Sequence, residues 1–243
     1  MINEIIIYHG SIKIIEKPNM AQGNPKNDYG KGFYCTEDIE LAKEWACKTF
    51  ENGYINKYLL KCIDLKILDL TTKEFNVLNW IALLLNNRTF NINDEIALKA
   101  KDFIIKKYNI DLQKYDIVIG YRADDSYFSY AQSFINNTLS VEDLEKALKL
   151  GEVGNQVVLI SQKAFDNIEF ISYEAVDKRI YYYKFKRRDT MARENYRKNI
   201  KTNNNIFNNT YILDIMRKQR RCWKGLCRRI IQEHSLVSDH EGL

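Results

Sequence analysis

Short β-branched runs and helix-length amphipathic stretches follow one another along this chain in no regular order, and that irregularity restricts the fold most. Six segments carry the strand signal: "EIIIYHG", "YINKYLLKCID", "KILDL", "YDIVIGYRADD", "NQVVLIS" and part of "AFDNIEFISYEAV". "FYC" at Phe33–Cys35 adds a brief seventh. Between them lie helical patterns. "TEDIELAKEWACKTF" places Ile39, Ala42, Trp45 and Ala46 on one face, with Thr36 expected as its N-cap. "TKEFNVLNWIALLLNN" and "NDEIALKAKDFIIKKYN" form a helical block, followed by "SYFSYAQSFINN" and by "SVEDLEKALKLG", capped by Ser140. "SIKIIEKP" reads as a short helix or turn. Regular βαβ alternation is missing, so the class is α+β.

The 243 residues suffice for one ordinary domain with an appendage. The expected organisation is a domain over residues 1–175 and a basic, mainly helical extension over 176–243. In that extension, "YYYKFKRRDTMARENYRKNI" and "YILDIMRKQRRCWKGLCRRIIQEHS" read as helices joined by the polar "KTNNNIFNNT". Net charge is +5, concentrated there, which suggests a polyanionic or acidic partner, or a solvated face. No stretch reads as a membrane span or a secretory signal. Five scattered cysteines fit reduced thiols in a cytoplasm. Cys222, Cys227, His234 and His240 match no zinc module, and no metal site is expected.

The loop "NMAQGNPKNDYGKG" is rich in Gly, Asn and Asp and delivers Gly30 and Gly32 just before the aromatic pair Phe33-Tyr34. Trp45 then lies on the helix that follows. On residue types alone this is an ordinary strand–helix unit with a Tyr and a Trp in its core. His9-Gly10, at the end of the first strand, argues for a site.

These residues carry a resemblance. "YHGS" at Tyr8–Ser11 and "GKGFYCTEDIELAKEWA" from Gly30 resemble the first two NAD-binding motifs of ADP-ribosyltransferases. The branch is the His-Tyr-Glu one, of diphtheria-toxin and poly(ADP-ribose) polymerase type. Over the first 175 residues or so, with "IGYRADDSYFSYAQSFI" and "GNQVVLISQKAF", the chain is similar to the DUF3990 family, often paired with a small partner gene in toxin–antitoxin-like loci. The resemblance implies a split, mixed and antiparallel sheet with inserted helices, and NAD as co-substrate.

It also implies roles. Nicotinamide is a flat cationic ring, and a pocket for it gains about 0.5–2 kcal/mol from each aromatic face. Tyr34 and Trp45 are the expected walls. His9 would bond a ribose hydroxyl, and the main chain of Gly10 would pair with the carboxamide, with Ser11 beside it. Lys31 and Gly32 would lie by the pyrophosphate. Ala42 stands where the family's pattern has a carboxamide-binding Ser, so that contact is missing.

The third motif departs from the pattern. Gln156 stands where a Glu is expected. It can orient a hydroxyl but carries no charge, and a preorganised charge at such a transition state is worth about 3 kcal/mol, roughly 100-fold in rate. Three readings stay open: Gln156 alone supports a slow transferase, Asp124 or Asp125 supplies the charge, or the chain binds NAD without turnover. Arg122 would face the same side as Asp124 if its strand continued, and Asp125 would equally serve as a helix cap. The expected function is therefore an intracellular, toxin-like ADP-ribosyltransferase acting on a macromolecular acceptor, with a small neutralising partner. The alternative is a catalytically weak NAD-binding or nucleic-acid-binding module.

Overall fold

The computed structural model describes residues 3–92, 94–123, 125–150, 154–202 and 209–218. Two sheets form its frame. In the first, β1 (Glu4–Ser11), β3 (Gly53–Lys61) and β7 (Ile168–Val176) lie antiparallel in the order β1-β3-β7. In the second, β2 (Phe33–Cys35), β6 (Asn155–Leu159), β5 (Ile117–Tyr121) and β4 (Ile67–Asp69) lie in the order β2-β6-β5-β4. Only the β4–β5 pairing is parallel there. Among the described residues one bridge joins the sheets: Tyr8 N–H donates to Thr36 O at 2.8 Å and Thr36 N–H to Tyr8 O at 3.0 Å. Beyond it β1 and β2 diverge. The described chain is thus α+β with a mixed sheet and an antiparallel one.

Alternation along the strands gives the second sheet two buried faces. Val118 and Val158 face a helical layer of α2 (Val77–Asn87), α3 (Glu95–Tyr108), α4 (Asp125–Ile135) and α5 (Val141–Leu150). Ile117, Val157 and Leu159 face the first sheet, where they meet Ile7, Tyr58 and Leu60. Helix α2 is apolar nearly all round, with Val77, Leu78 and Trp80 through Leu85 buried, as a helix enclosed by other elements must be. Asn76 and Asn79 close its first turn as a reciprocal capping box.

Helix α1 (Ile39–Ala46) begins later than expected. Its cap is Asp38, whose carboxylate accepts from the N–H groups of Glu40 and Leu41, rather than Thr36. Thr36 is taken up by the bridge to Tyr8, and its hydroxyl accepts from Asp38 N–H. The 12–18 segment forms bends and coil, and a short α6 (Gln162–Asp166), unmarked in the sequence pattern, precedes β7.

Helix α7 (Lys178–Thr202) starts two residues after β7 and lies along α1. Glu40 takes Lys184 and the Tyr181 hydroxyl, and Glu44 takes Arg188 at 2.8 Å. A helical segment at 212–218 sends Ile212 into the main core. The extension beyond 176 thus packs onto the preceding residues through the first part of α7 and through Ile212. Cys222, Cys227, His234 and His240 lie outside the described residues. No described helix is long and apolar enough to cross a membrane.

Candidate functional site

The point where the sheets part is the place to build from. In an antiparallel ladder, residues alternate between bonding one neighbour and the other. Tyr8 gives both its backbone groups to Thr36, so its pair with Lys57 is of the non-bonded kind. Gly10, two residues on and opposite Ile55, repeats that orientation. Its N–H and C=O therefore point out of β1 into the split. Neither has a partner among the described residues outside the β1–β3 ladder.

The same alternation sorts the side chains. Tyr8, Gly10, Thr36, Tyr34, Val158 and Gln156 belong to one side of the joined sheets. Extending the β2–β6 register by one residue sets Thr36 level with Gln156, so Gln156 stands at the mouth of the split. Helix α1 covers this side at Gly10. A Cβ there would fall 2.0 Å from Ala42 O and 2.8 Å from Ala46 N. The missing side chain lets α1 lie directly on β1, and this packing already requires the glycine.

Trp45 leaves α1 toward the ends of β5 and β6. Its indole N–H is buried with no hydrogen-bond partner, and the Arg122 guanidinium lies 4.8 Å over its ring. Strand β5 stops at Tyr121, so Arg122 is placed by the loop rather than by strand alternation, against expectation. The Tyr34 ring is tied down at its tip: its hydroxyl donates to Gly30 O at 2.7 Å and accepts from Tyr29 N–H at 3.0 Å. Burial holds this phenol well above the ordinary range, so it stays protonated.

His9 projects from the opposite side of β1 and stacks on Phe33, with centroids 4.4 Å apart. His9 therefore does not share the face that carries Tyr34 and Gln156. Its Nδ1 lies 2.7 Å from Tyr34 O. A carbonyl only accepts, so Nδ1 carries the hydrogen. Burial lowers the imidazole's pKa, against the opposing pull of that bond. The ring is thus neutral, with an Nε2 lone pair that can accept from a hydroxyl.

Gln156 is buried and committed. Its Nε2 donates to Asp28 Oδ2 at 2.9 Å and, more weakly, to Tyr121 O at 3.4 Å. The same Asp28 oxygen accepts from Ala123 N–H at 2.8 Å, and Oδ1 takes Arg88 at 2.7 Å. Arg88 comes from the end of α2, donates also to Ala123 O, and rests over the Phe128 ring. Asp28 is 6% exposed, so this loop acid is the buried charge at the site. Sequence reasoning missed both Asp28 and Arg88. Asp28 sits among turn formers and Arg88 at a helix end, and no spacing links residues 28, 88 and 156.

The remaining expected residues are scattered. Ser11 Oγ donates to Lys13 O and accepts from Asn56, which also bonds His9 O and Ile15 N–H. Lys31 is exposed. Gly32 lies against β6, where a Cβ would be 2.7 Å from Leu159 O, and Gly30 adopts φ +77°, a conformation suited to glycine. Asp124 lies outside the described residues, and Asp125 is the first residue of α4. A cleft of about 210 Å³ opens elsewhere, between Leu70, Phe75, Tyr121 and Leu148, and none of His9, Gly10, Tyr34 and Trp45 lines it. The described residues hold no cluster of metal-ligating side chains.

Comparison with known proteins adds one finding. Residues 5–170 match DUF3990, described as a protein of unknown function. No curated protein and no solved structure matches the chain. The match takes in the second sheet, β3, nearly all of β1, the first residues of β7 and every residue discussed at the split, and on it the chain belongs to the DUF3990 family.

Proposed function

We propose that the protein is an ADP-ribosyltransferase of the His-Tyr-Glu kind, using NAD to modify a macromolecular acceptor. One observation carries the reading: Gly10 turns an adjacent N–H and C=O into the split, two residues along β1 from Tyr8, which is level with Thr36 and Gln156, and under the helix that bears Trp45. A primary carboxamide presents the complementary acceptor and donor, and it would dock there as a short strand docks on a sheet edge.

The other residues take roles by their chemistry. Nicotinamide seated on Gly10 would lie near the Trp45 ring, where its cationic pyridinium would replace the Arg122 guanidinium. Arg122, displaced, would meet the pyrophosphate. Neutral His9, on the opposite face, would hold the Tyr34 main chain in place beside the split through its Nδ1–H. Gln156 would orient the nicotinamide ribose, with Asp28 one hydrogen bond behind it. The N-glycosidic bond breaks with its electron pair leaving on nicotinamide. An acceptor nucleophile then adds to the anomeric carbon and gives up its proton.

A second reading has its own support. Arg88 neutralises much of the Asp28 charge, which favours NAD binding with slow turnover or none. Labelled NAD incubated with the protein and a cell extract separates the two. Label on a macromolecule supports transfer. Nicotinamide release without label supports hydrolysis, and calorimetric NAD binding without release supports the binding module. If neither binding nor release occurs, the NAD reading fails.

A further inference from the structure

The turn that follows α1 holds Phe50 at φ +60°, a conformation that bulky residues avoid, and leaves the residue 43% exposed. The ring does not cover a core. It meets the first turns of α7, edge-on to Tyr182 at 4.8 Å and to Tyr183 at 6.3 Å, and Tyr183 is itself 61% exposed. Three ammonium groups surround these rings. Lys178 lies 4.8 Å from the Phe50 centroid, Lys186 lies 5.7 Å from those of Tyr182 and Phe185, and Lys48 lies 6.0 Å from that of Phe185.

Helix α7 divides its charge by face. Lys184 and Arg188 turn inward to Glu40 and Glu44. Lys48, Lys178 and Lys186 form no ion pair among the described residues. Tyr183, Lys186 and Arg187 are exposed, at the three- and four-residue spacing of one helical stripe. The outcome is a platform on which the exposed Phe50 and Tyr183 rings stand beside ammonium groups that form no close ion pair, Lys178 being drawn only at longer range to Asp177.

We infer that this platform binds single-stranded nucleic acid. A single strand offers both things the surface asks for, a phosphate every nucleotide and unstacked bases that lie on aromatic rings. A duplex keeps its bases stacked within. An acidic polypeptide would satisfy the lysines and leave the exposed rings without a planar partner. The inference is independent of the NAD reading, because no residue of the split takes part.

The test is fluorescence anisotropy of a labelled oligouridylate with the full chain, over a salt series starting at about 50 mM. Binding should weaken as salt rises, with a log–log slope of roughly −2 for three phosphate contacts on a single strand. F50A/Y183A should weaken binding about tenfold with the slope kept, since losing a stacked base costs that much or more. F50Y/Y183F, which keeps the rings, should bind as the wild type does. K48A/K178A/K186A should flatten the slope. Failure to bind at low salt, equal affinity of F50A/Y183A, or tighter binding to polyglutamate, duplex DNA or anionic phosphatidylserine vesicles would overturn the assignment. Circular dichroism of each variant confirms that the fold persists.

Discussion

Gln156 Nε2 lies 2.9 Å from Asp28 Oδ2, so the amide on β6 and the carboxylate on the loop before β2 form one buried pair. The strand carries the neutral member and the loop the charged one. Replacing Gln156 by Glu alone would set two carboxylates against each other in a dry place. Q156E should lose about 3–5 kcal/mol of stability at neutral pH, and less in acid, where one carboxyl takes a proton. The double variant D28N/Q156E restores one amide and one carboxylate and should regain most of that loss. Under the transferase reading it should also release nicotinamide faster than the wild type. Urea unfolding and a nicotinamide assay check the two effects separately.

Arg88 compensates Asp28 from the opposite side. R88M keeps much of the side-chain volume over Phe128 but removes the charge, leaving Asp28 with only neutral donors. A loss of about 3 kcal/mol is expected by chemical denaturation. R88M/D28N should lose clearly less than R88M, because the stranded charge is gone.

Gly10→Ala tests the contact between α1 and β1. The added methyl would meet backbone at 2.0 Å, which no side-chain rotation relieves. The helix must shift, at a cost of about 1–3 kcal/mol. Since α1 carries Trp45, NAD affinity measured by calorimetry should fall in a protein whose circular dichroism is unchanged.

His9 links stability to pH. Its pKa in the folded chain lies below the ordinary 6.5, so as pH falls the unfolded chain takes up the proton first. The stabilisation from neutral His9 is complete above 6.5 and is lost as pH drops from there toward the folded pKa. H9N keeps a donor for Tyr34 O without titrating. Urea unfolding of the two proteins should show the wild type losing stability more steeply below pH 6.5.

The strands were legible as short runs rich in β-branched, aromatic or leucine residues bounded by polar ones, and β1, β3, β5 and β6 fall where those runs lie. The order in which they pair was not, because the register is decided by contacts far apart in sequence, such as Tyr8 with Thr36. The start of α1 was misplaced by two residues. Thr36 and Asp38 are both capping types, and only the bridge to Tyr8 decides between them. At the candidate site, motif order singles out Gly10 and Trp45, whose roles belong to the proposal, whereas nothing in the sequence singles out Asp28 and Arg88. Their roles come from a three-way meeting of loop, helix end and strand that no local pattern encodes. His9 was placed correctly on β1, but its partner is a main-chain oxygen, a group that every residue has.

The seam between α1 and α7 bears on how the chain can be shortened. Glu44 is 4% exposed and shielded from water, with one oxygen on Arg188 and the other unbonded, and burial raises its pKa in spite of that arginine. Trimming to the family-matched stretch would delete the arginine and strand an anion at the foot of Trp45. The residues beyond the matched stretch thus act as a splint for α1, and a shortened version that misbehaves says nothing about the split until the splint is put back.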